Sequence, residues 1–385
     1  ERVQQSDYSS MLTPDGSPKP VELVEWQRKM GDIAKGKAPG YSGNTPDLYA
    51  SLPRCWHEWA LKLANVIQHT GVTPNGWHID LVCYIHKGGD DGSLSNHRPL
   101  CLIEVLRKVA TSIATDRMRR DWNRMRLLDD ANPGFQAGRT TANSVIPLRQ
   151  AAEHCVATKQ HFAALLDDLK WCFDTPARTI VELALMRLGV PSYYYEMLED
   201  IDLHSAKTTV TAAGLTCELV EGAGGVHKQL HGTGQGTVEG PLTWIPIADI
   251  VIAVAAEAST QPVMLPAPPG GPVPVDKTWY VDDSALMQAG LDAMAALRRM
   301  ANMTGLMYYF LGLERRAKKC ILIRLVWEAG RIQRARERNE TLELLTWLVV
   351  WTKHGPVITA AKPVRIIEYD CDQEFRHLGY SASIL

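Results

Sequence analysis

The chain has 385 residues, with 41 Lys and Arg against 43 Asp and Glu, and it is 45% hydrophobic and 22% charged. These values are typical of a globular protein of about two or three structural units, and they exclude a disordered or collagen-like chain. The net charge of −2 gives no global sign of a nucleic-acid partner, so any such site must be built locally. The eight cysteines show no C-x-x-C pair and no zinc-type spacing, which favours reduced thiols in an intracellular protein.

The sequence predicts neither a membrane span nor a secretory signal. The most apolar stretch, 244–258, contains Pro246 and Asp249 and is shorter than the about 20 residues that a bilayer requires. The first residues, ERVQQSDYSS, lack the basic start and apolar run of a signal peptide. Secretion and membrane insertion are therefore not expected.

Turn-forming residues at 8–20 and 35–47 predict two loops in the first part of the chain. Apolar residues then follow helical spacing from Leu102 to Ile113, and the predicted helix continues into the basic run DRMRRDWNRMR. The arginines of this run could contact nucleic-acid phosphates, although such runs are more often solvated helix faces.

A short apolar run at 162–166 predicts a buried strand that ends at Asp167 and Asp168. Thr175 and Pro176 are typical of the N-cap and first position of a helix, and Gly189 of the position beyond its end. The sequence therefore predicts a strand, a polar loop and a helix in succession.

The segment 262–276 contains six prolines and two glycines and predicts a loop or insertion. Two short apolar runs follow it and flank Asp282 and Asp283, a pattern that predicts a hairpin with the acidic pair at its turn. No internal repeat is evident.

Two acidic points therefore lie at a strand end and at a hairpin turn. Clustered carboxylates repel one another unless a cation lies between them, and their hard oxygen atoms suit Mg²⁺. Two such ions support in-line phosphoryl transfer. The alternative is that Asp282 and Asp283 form an ordinary solvated turn, where Asp is common.

Nine short blocks, in order along the chain, resemble the reverse transcriptase of non-LTR (LINE-type) retrotransposons. Each block alone is weak evidence, whereas nine in the right order are specific. The blocks are KAPG (37–40), IHKGG (85–89), SNHRPL (95–100), GFQAGRTT (134–141), DLKWCFD (168–174), GTGQG (232–236) with GP (240–241), YVDD (280–283), GLERRAKKC (312–320) and FRHLGY (375–380).

The resemblance implies that the carboxylates of Asp168, Asp282 and Asp283, with the backbone carbonyl of Leu169, bind two Mg²⁺ ions, or Mn²⁺ in their place. Asp167 competes with Asp168 for this role, but a Phe five residues after the metal-binding Asp matches the family's spacing. That Phe173 would exclude a 2′-hydroxyl and select dNTPs, or would be part of the core.

The resemblance also implies roles for further residues. Lys87 and Arg98 would clamp the triphosphate, and Gln235 and Gly236 would approach the nucleotide and template. Lys319 would donate a proton to pyrophosphate or balance its charge. Each of these charged residues could also be an ordinary surface residue.

The implied fold is α+β, a right-hand polymerase with fingers and an antiparallel palm sheet backed by helices, and with the thumb largely absent. The predicted regions are an N-terminal extension (1–34), fingers (35–160), palm (161–330, with insertions near 219–232 and 262–276) and the end of the palm with a primer-gripping hairpin (331–385). The departures include Arg316 where the family usually has Asn, and Pro246, which is expected to interrupt the helix that follows motif B, the family's name for the GTGQG and GP blocks.

The implied function is that of an RNA-directed DNA polymerase that adds dNTPs to a primer 3′-hydroxyl. The implied partners are an RNA template, a DNA primer, and endonuclease or C-terminal domains of a parent polyprotein; nuclear location follows from the family alone. One alternative is an RNA-dependent RNA polymerase, which Val281 and Phe173 disfavour and Asp174 favours. Another is a catalytically decayed scaffold that binds RNA.

Overall fold

The structure is a computed structural model. It describes residues 3–33, 35–170, 172–173, 175–211, 214–216, 220–221, 236–267, 269–333, 341–345, 347–352, 355–360, 363–369, 375–377 and 380–382. The structural statements that follow concern these residues.

The α-helices occur mainly in the first two thirds of the chain. They are α1 (Leu23–Asp32), α2 (Pro46–Ser51), α3 (Arg54–Thr70), α4 (Val105–Met125), α5 (Ala142–Ala157), α6 (Arg178–Arg187), α7 (Ser192–Leu203), α8 (Gly240–Ala258) and α9 (Ala293–Phe310).

The β-strands form several sheets, so the fold is α+β. The strands are β1 (Ile79–His86), β2 (His97–Leu102), β3 (Phe162–Lys170), β4 (Ala206–Thr211), β5 (Gly214–Leu215), β6 (Val220–Glu221), β7 (Val263–Leu265), β8 (Val273–Val275), β9 (Lys277–Tyr280), β10 (Asp283–Ala289), β11 (Glu314–Arg315), β12 (Ile321–Glu328), β13 (Arg331–Gln333), β14 (Thr341–Leu344), β15 (Trp347–Thr352), β16 (Gly355–Ala360), β17 (Val364–Tyr369), β18 (Phe375–His377) and β19 (Tyr380–Ala382).

The chain divides into two compact units whose segments alternate along the sequence. Unit 1 comprises residues 1–127 and 173–246, and unit 2 comprises 128–172 and 247–385. These boundaries do not coincide with the boundaries predicted at residues 34, 160 and 330. The division into fingers and palm stays a prediction from the sequence.

Unit 1 contains a sheet in the order β2-β1-β4-β5, with β6 also paired to β4. β1 runs antiparallel to β2 and parallel to β4. Helices α1, α3 and α4 pack together around Trp26, Met30, Val109 and Ile113, all of which are buried. This helical layer encloses a core of its own.

Unit 2 contains the largest sheet, in the order β14-β17-β12-β3-β10-β9, with β11 paired to β3 and β13 to β12. β3 lies between β10 and β12 and runs antiparallel to both. Helix α5 buries its apolar residues against one face of these strands, where Ala164, Leu166, Ala285 and Met287 lie in one core cluster. The sheet is mixed, because β12 runs parallel to β17 while β3 is antiparallel to both of its neighbours. The predicted α+β class is confirmed, and the antiparallel palm sheet stays a prediction.

The predicted strand at 162–166 is confirmed, but it extends four residues further, to Lys170. The predicted hairpin is also confirmed, because β9 and β10 pair antiparallel. Asp282 lies at its turn as predicted, whereas Asp283 is already the first residue of β10 and pairs with Tyr280. The segment 262–276 is not a plain loop, since β7 and β8 within it form a further antiparallel pair.

Two predicted helix starts were wrong by two or three residues. Leu102 belongs to β2, where the sheet pairs it with Leu81, and α4 begins at Val105. The helix predicted to open at Thr175 begins at Arg178, because Ala177 keeps an extended backbone and takes the N-cap position. Gly189 follows the end of this helix with a positive φ of 74°, as predicted.

Pro246 does not interrupt the helix after motif B. Helix α8 runs through it from Gly240 to Ala258, so burial of this apolar helix outweighs the about 3 kcal/mol that an internal Pro costs. In the described part of the chain, this 19-residue helix alone has the length and apolar composition of a membrane span, and 67% of its most apolar window is buried. Such burial is typical of a core helix.

The basic run in α4 is partly structural. Arg117 is buried and forms an ion pair with Glu25 at 2.6 Å, and it also donates a hydrogen bond to the carbonyl of Pro20 at 2.9 Å. The exposed Arg124 pairs with Asp121 at 3.1 Å. Arg117 therefore anchors the N-terminal segment and is not available to a phosphate.

Candidate active site

The central feature of unit 2 is a pair of facing aspartates at the end of the sheet. In the antiparallel register of β3 and β10, Asp168 lies directly opposite Asp283. Side chains alternate between the two faces of a strand, so Asp168 shares a face with Leu166, and Asp283 shares the same face with Ala285. Both aspartates therefore lie just beyond the core cluster that contains Leu166 and Ala285.

The turn that carries Asp282 is strained and tightly held. Val281 has a positive φ of 61°, which is unfavourable for a β-branched residue and is typical of functional sites. A Cβ atom on Gly134 would lie 3.0 Å from the Val281 nitrogen, so a larger residue there would require the turn to shift. Trp279 donates its backbone N–H to the carbonyl of Ala131 at 2.7 Å, and the Ser144 hydroxyl donates to the Trp279 carbonyl at 2.7 Å.

Asp167 points to the opposite face and already has partners. Its carboxylate accepts two hydrogen bonds from Nε of Arg315, at 2.7 and 2.8 Å, and a third contact from Sγ of Cys320 at 3.2 Å. The side chain is 0% exposed. Arg315 itself donates to the carbonyl of Ala301 in α9. The geometry therefore favours Asp168 over Asp167 as the metal-binding residue.

Asp168 has only a weak cationic partner. Its Oδ2 atom is buried and makes no hydrogen bond with any described residue, and Nη1 of Arg316 lies 3.4 Å from it. The backbone N–H of Arg316 donates to the Asp168 carbonyl at 2.7 Å, which holds the two residues together. Burial, and then repulsion from Asp282 and Asp167, raises the pKa of Asp168 against the attraction of Arg316 and Lys319.

Asp283 and Lys319 complete this charged cluster. Burial first, and then repulsion from Asp282 and Asp168, raises the pKa of Asp283 to about 7. The exposed Lys319, in a short 3₁₀ helix before β12, lowers the pKa of both Asp168 and Asp283 through its charge. The carboxylates are thus close enough to affect each other's protonation.

The donor chemistry of these residues suits a divalent cation such as Mg²⁺, while the three carboxylates are not among the described side chains whose ligand atoms all lie within 4.8 Å of one another. The carboxylates of Asp168, Asp282 and Asp283 supply only oxygen ligands, which hard cations prefer. The buried Oδ2 of Asp168 lacks a hydrogen bond among the described residues, and such an atom is costly unless a cation or donor satisfies it. A cation here would also relieve the repulsion that raises the pKa of Asp283.

The raised pKa predicts a pH-dependent effect of Mg²⁺ on stability. The pKa of Asp283 is about 7 in the folded protein, against an ordinary value of 3.8, so the folded state binds the proton more tightly than the unfolded state. Without metal, the free energy of unfolding is expected to fall as pH rises between about 4 and 7. Mg²⁺ competes with that proton, so it should raise Tm more at about pH 8 than at about pH 6.

Thermal unfolding with and without Mg²⁺ at both pH values checks this expectation. Asp283→Asn is the matched control, since its side chain has the same size and cannot titrate. The variant should show a smaller Mg²⁺ effect that hardly changes with pH. An equal Mg²⁺ effect at both pH values in the parent protein would contradict the expectation.

Lys87 and Arg98, the residues predicted to clamp the triphosphate, both lie in unit 1. Arg98 lies in β2 opposite Ile85 of β1, and Lys87 follows β1 directly. The backbone N–H of Lys87 donates to the carbonyl of Asn96 at 2.8 Å, which continues the strand pairing. Lys87 is two residues beyond Ile85, so the alternation of side chains places Lys87 and Arg98 on one face of the hairpin. Both residues are exposed.

Gly236 makes a close backbone approach that only glycine permits. Its φ is +100°, and a Cβ atom there would lie 2.5 Å from a methyl carbon of Leu100 and 3.1 Å from the carbonyl oxygen of Cys101. It lines a cavity of about 540 Å³ in unit 1 whose wall also carries Lys37 and Lys108. Gln235 lies outside the described residues.

Phe173 is half-buried in unit 1 and packs against a core tryptophan. Its ring centroid lies 6.2 Å from that of Trp244 in α8, at an interplanar angle of 56°. Leu169 has a buried side chain, and the role of its carbonyl as a metal ligand stays a prediction. The structure thus groups the carboxylates and Lys319 in unit 2, and Lys87, Arg98, Phe173 and Gly236 in unit 1.

The sequence interpretation did not identify three features of this site. They are the ion pair between Arg315 and Asp167, the contact between Arg316 and Asp168, and the strained backbone of Val281. Extending the two-residue alternation from the apolar run 162–166 would have placed Asp167 and Asp168 on opposite faces. Their arginine partners are distant in sequence, so no local pattern indicates them. The strain at Val281 has no signal in a single sequence.

A comparison with known proteins supports a reverse-transcriptase-like relationship. No protein-family model matches the chain. Over 157 residues, the chain is 24% identical to the probable RNA-directed DNA polymerase from transposon BS of Drosophila melanogaster. The matched region is 40% of this chain and 17% of that protein, so the chain corresponds to only a small part of its relative. The chain is therefore similar, distantly and in part, to a transposon reverse transcriptase.

Proposed function

We propose that this chain is the polymerase part of a non-LTR (LINE-type) reverse transcriptase. It extends a primer 3′-hydroxyl with dNTPs on an RNA template, and two divalent ions, Mg²⁺ or Mn²⁺, serve as cofactors. The observation that carries the proposal is the facing pair of Asp168 and Asp283, with a buried Asp168 oxygen that makes no hydrogen bond with any described residue. The similarity to a transposon RNA-directed DNA polymerase supports it.

In this proposal, Asp168, Asp282 and Asp283 hold the divalent ions, and the Leu169 carbonyl adds a further oxygen ligand. When bound, the ions supply the charge that stabilises the attacking and leaving oxygens of an in-line displacement. The antiparallel pairing of β3 and β10 pre-organises two of these carboxylates without further movement. Unit 2 then corresponds to much of the palm of a right-hand polymerase.

Lys319 acts on the leaving group. Its charge affects the pKa of both Asp168 and Asp283, so it lies near the carboxylates that would hold the ions and the phosphates bound to them. From this position its ammonium group donates a proton to the departing pyrophosphate or balances its charge.

The residues of unit 1 bind the incoming nucleotide and template. Lys87 offers a point charge and Arg98 a bidentate fork, and both are exposed on one hairpin. The cavity beside Gly236 has a mostly apolar wall that carries three lysines, Lys29, Lys37 and Lys108, and one acidic residue, Asp32. This gives a local excess of positive charge, which a chain with net charge −2 needs to hold nucleic acid. Gln235 contacts the nucleotide or template, and the pairing of β18 with β19 at 375–382 provides the primer grip.

A primer-extension assay tests this function. The parent chain and Asp282→Asn are compared on a poly(rA) template with an oligo(dT) primer, dTTP and Mg²⁺. Extension by the parent alone is the expected result. Equal extension by both chains would exclude the proposed metal site, and no extension by a folded parent would favour the alternative of an RNA-binding scaffold without catalysis.

Phe173 is expected to select the sugar of the incoming nucleotide. Its ring is supported by Trp244, so it can exclude a 2′-hydroxyl by steric contact. Phe173→Val should raise the use of UTP relative to dTTP by roughly 10- to 200-fold, the usual range for discrimination by shape in a pocket.

The ratio of kcat/KM for the two nucleotides measures this effect. Phe310→Val is the matched control, because Phe310 is an exposed phenylalanine at the end of α9. It should leave the ratio unchanged. Equal use of UTP and dTTP by the parent chain would contradict the role of Phe173 and favour RNA synthesis.

A further inference from the structure

A second cluster of metal-ligating side chains lies in unit 1, where the end of α7 meets the start of β1. His78 directly precedes β1, Asp200 lies in the last turn of α7, and His204 is the C-cap of that helix. One ligand atom from each of the three residues lies within 4.8 Å of the other two. All three residues belong to unit 1, as do the strands and helix that carry them.

The contacts within this cluster are close. Nε2 of His78 lies 3.4 Å from Oδ2 of Asp200, and Nδ1 of His204 lies 3.4 Å from Oδ1 of the same carboxylate. The two imidazole rings are stacked, with centroids 5.0 Å apart. The carboxylate of Asp200 therefore lies between two ring nitrogens, one on each of its oxygens.

Other residues orient the cluster in the way that outer-shell groups support metal ligands. Thr73 donates two hydrogen bonds to Oδ2 of Asp200, from its backbone N–H at 2.7 Å and from its hydroxyl at 2.6 Å. The backbone N–H of Ala206 donates to the carbonyl of His78 at 2.8 Å. Metal-binding carboxylates are commonly hydrogen-bonded in this manner, which fixes the direction of their free lone pairs.

The donor set indicates which cation it would take. Two imidazole nitrogens and one carboxylate oxygen suit Zn²⁺, whereas Mg²⁺ prefers oxygen ligands alone. His78 is buried and His204 is exposed, so one side of the cluster is open to solvent.

We propose that His78, Asp200 and His204 form a Zn²⁺ site that joins the end of α7 to the start of β1. Zinc ligands lie about 2.0–2.2 Å from the ion, so the ion would displace two existing contacts: that of Nε2 of His78 with the Thr73 hydroxyl at 2.8 Å, and that of Nδ1 of His204 with the Asp200 carbonyl at 2.9 Å. The site stabilises the pairing of β1 with β4, which begins at Ile79 and Ala206 on either side of the cluster. It is independent of the proposed polymerase chemistry.

Titration of the full chain with Co²⁺, a spectroscopic substitute for Zn²⁺, tests the proposal. Four-coordinate Co²⁺ with nitrogen ligands gives intense visible absorption, which six-coordinate oxygen sites do not. The parent chain should develop this absorption at one equivalent and lose it on addition of Zn²⁺. Zn²⁺ should also raise Tm.

His204→Ala is the principal variant, because His204 is exposed and its replacement leaves the core intact. It should weaken metal binding by about 100-fold or more, beyond the loss seen when supporting residues are changed. His69→Ala, at another exposed His in the last turn of α3, and Asp283→Asn, in the carboxylate cluster of unit 2, should both bind as the parent does. A parent that shows no such absorption, or equal binding by parent and His204→Ala, would overturn the proposal.

Discussion

Replacing Asp168 with Asn is expected to reduce nucleotide incorporation by roughly 1,000-fold or more while leaving the chain as stable as the parent. A metal ligand contributes several kcal/mol to the transition state, and about 1.4 kcal/mol is a factor of ten in rate. The stability should not fall, since the change removes a buried carboxylate whose nearest cation, Arg316, lies 3.4 Å away.

The neighbouring replacement, Asp167→Asn, is expected to have the opposite effects: it should lower the stability of the chain more than its activity. It removes the charge that balances the buried Arg315, which should lower the free energy of unfolding by about 3 kcal/mol. Single-nucleotide incorporation measures the activity of both variants, and urea denaturation measures their stability. Full activity of Asp168→Asn, or parent-like stability of Asp167→Asn, would contradict the assignment of the two aspartates.

The second large effect is expected at Arg107, the centre of a buried ion triad in unit 1. Its Nη1 lies 2.9 Å from Oδ1 of Asp80, and its Nη2 lies 2.5 Å from Oε1 of Glu239. It also donates to the carbonyl of Trp77 at 2.8 Å. Burial raises the pKa of Asp80 against the attraction of Arg107, which shows how much the charge of this carboxylate depends on its partner.

Arg107→Met should lower the free energy of unfolding by about 3–5 kcal/mol, because it leaves two buried carboxylates without a cation. Glu239 follows Gly236 by three residues, so the turn at Gly236 should also loosen. Arg54→Met is the matched control, since Arg54 forms an exposed ion pair with Glu58 and its loss should cost under about 1 kcal/mol. Urea denaturation measures the free energy of unfolding of both variants. Similar losses of stability in the two would contradict the role of the triad.

Local patterns in the sequence predicted much of the site's framework. The apolar run before Asp167 predicted β3, and two short apolar runs predicted the hairpin that carries Asp282 and Asp283. These predictions succeeded because the elements are short, strongly apolar and bounded by polar residues. The alignment of Asp168 with Asp283 depends on strand register, which apolar pattern alone did not supply.

Other features depended on contacts distant in sequence. The burial of α8 outweighs the break that Pro246 predicts, and pairing with β1 draws Leu102 into a strand although it follows the helical spacing. Glu25 converts Arg117 from a candidate phosphate contact into a structural anchor. The ligands His78 and Asp200 lie 122 residues apart, so no local spacing could have indicated their cluster.

The most direct test of the central claim is a titration with Mn²⁺, followed by the loss of its free-ion signal in electron paramagnetic resonance. The account predicts that the parent chain binds Mn²⁺, that Mg²⁺ displaces it, and that Asp168→Asn and Asp283→Asn each weaken binding by at least about tenfold. Folded variants that bind Mn²⁺ as tightly as the parent would show that the carboxylates of β3 and β10 do not form a divalent-cation site.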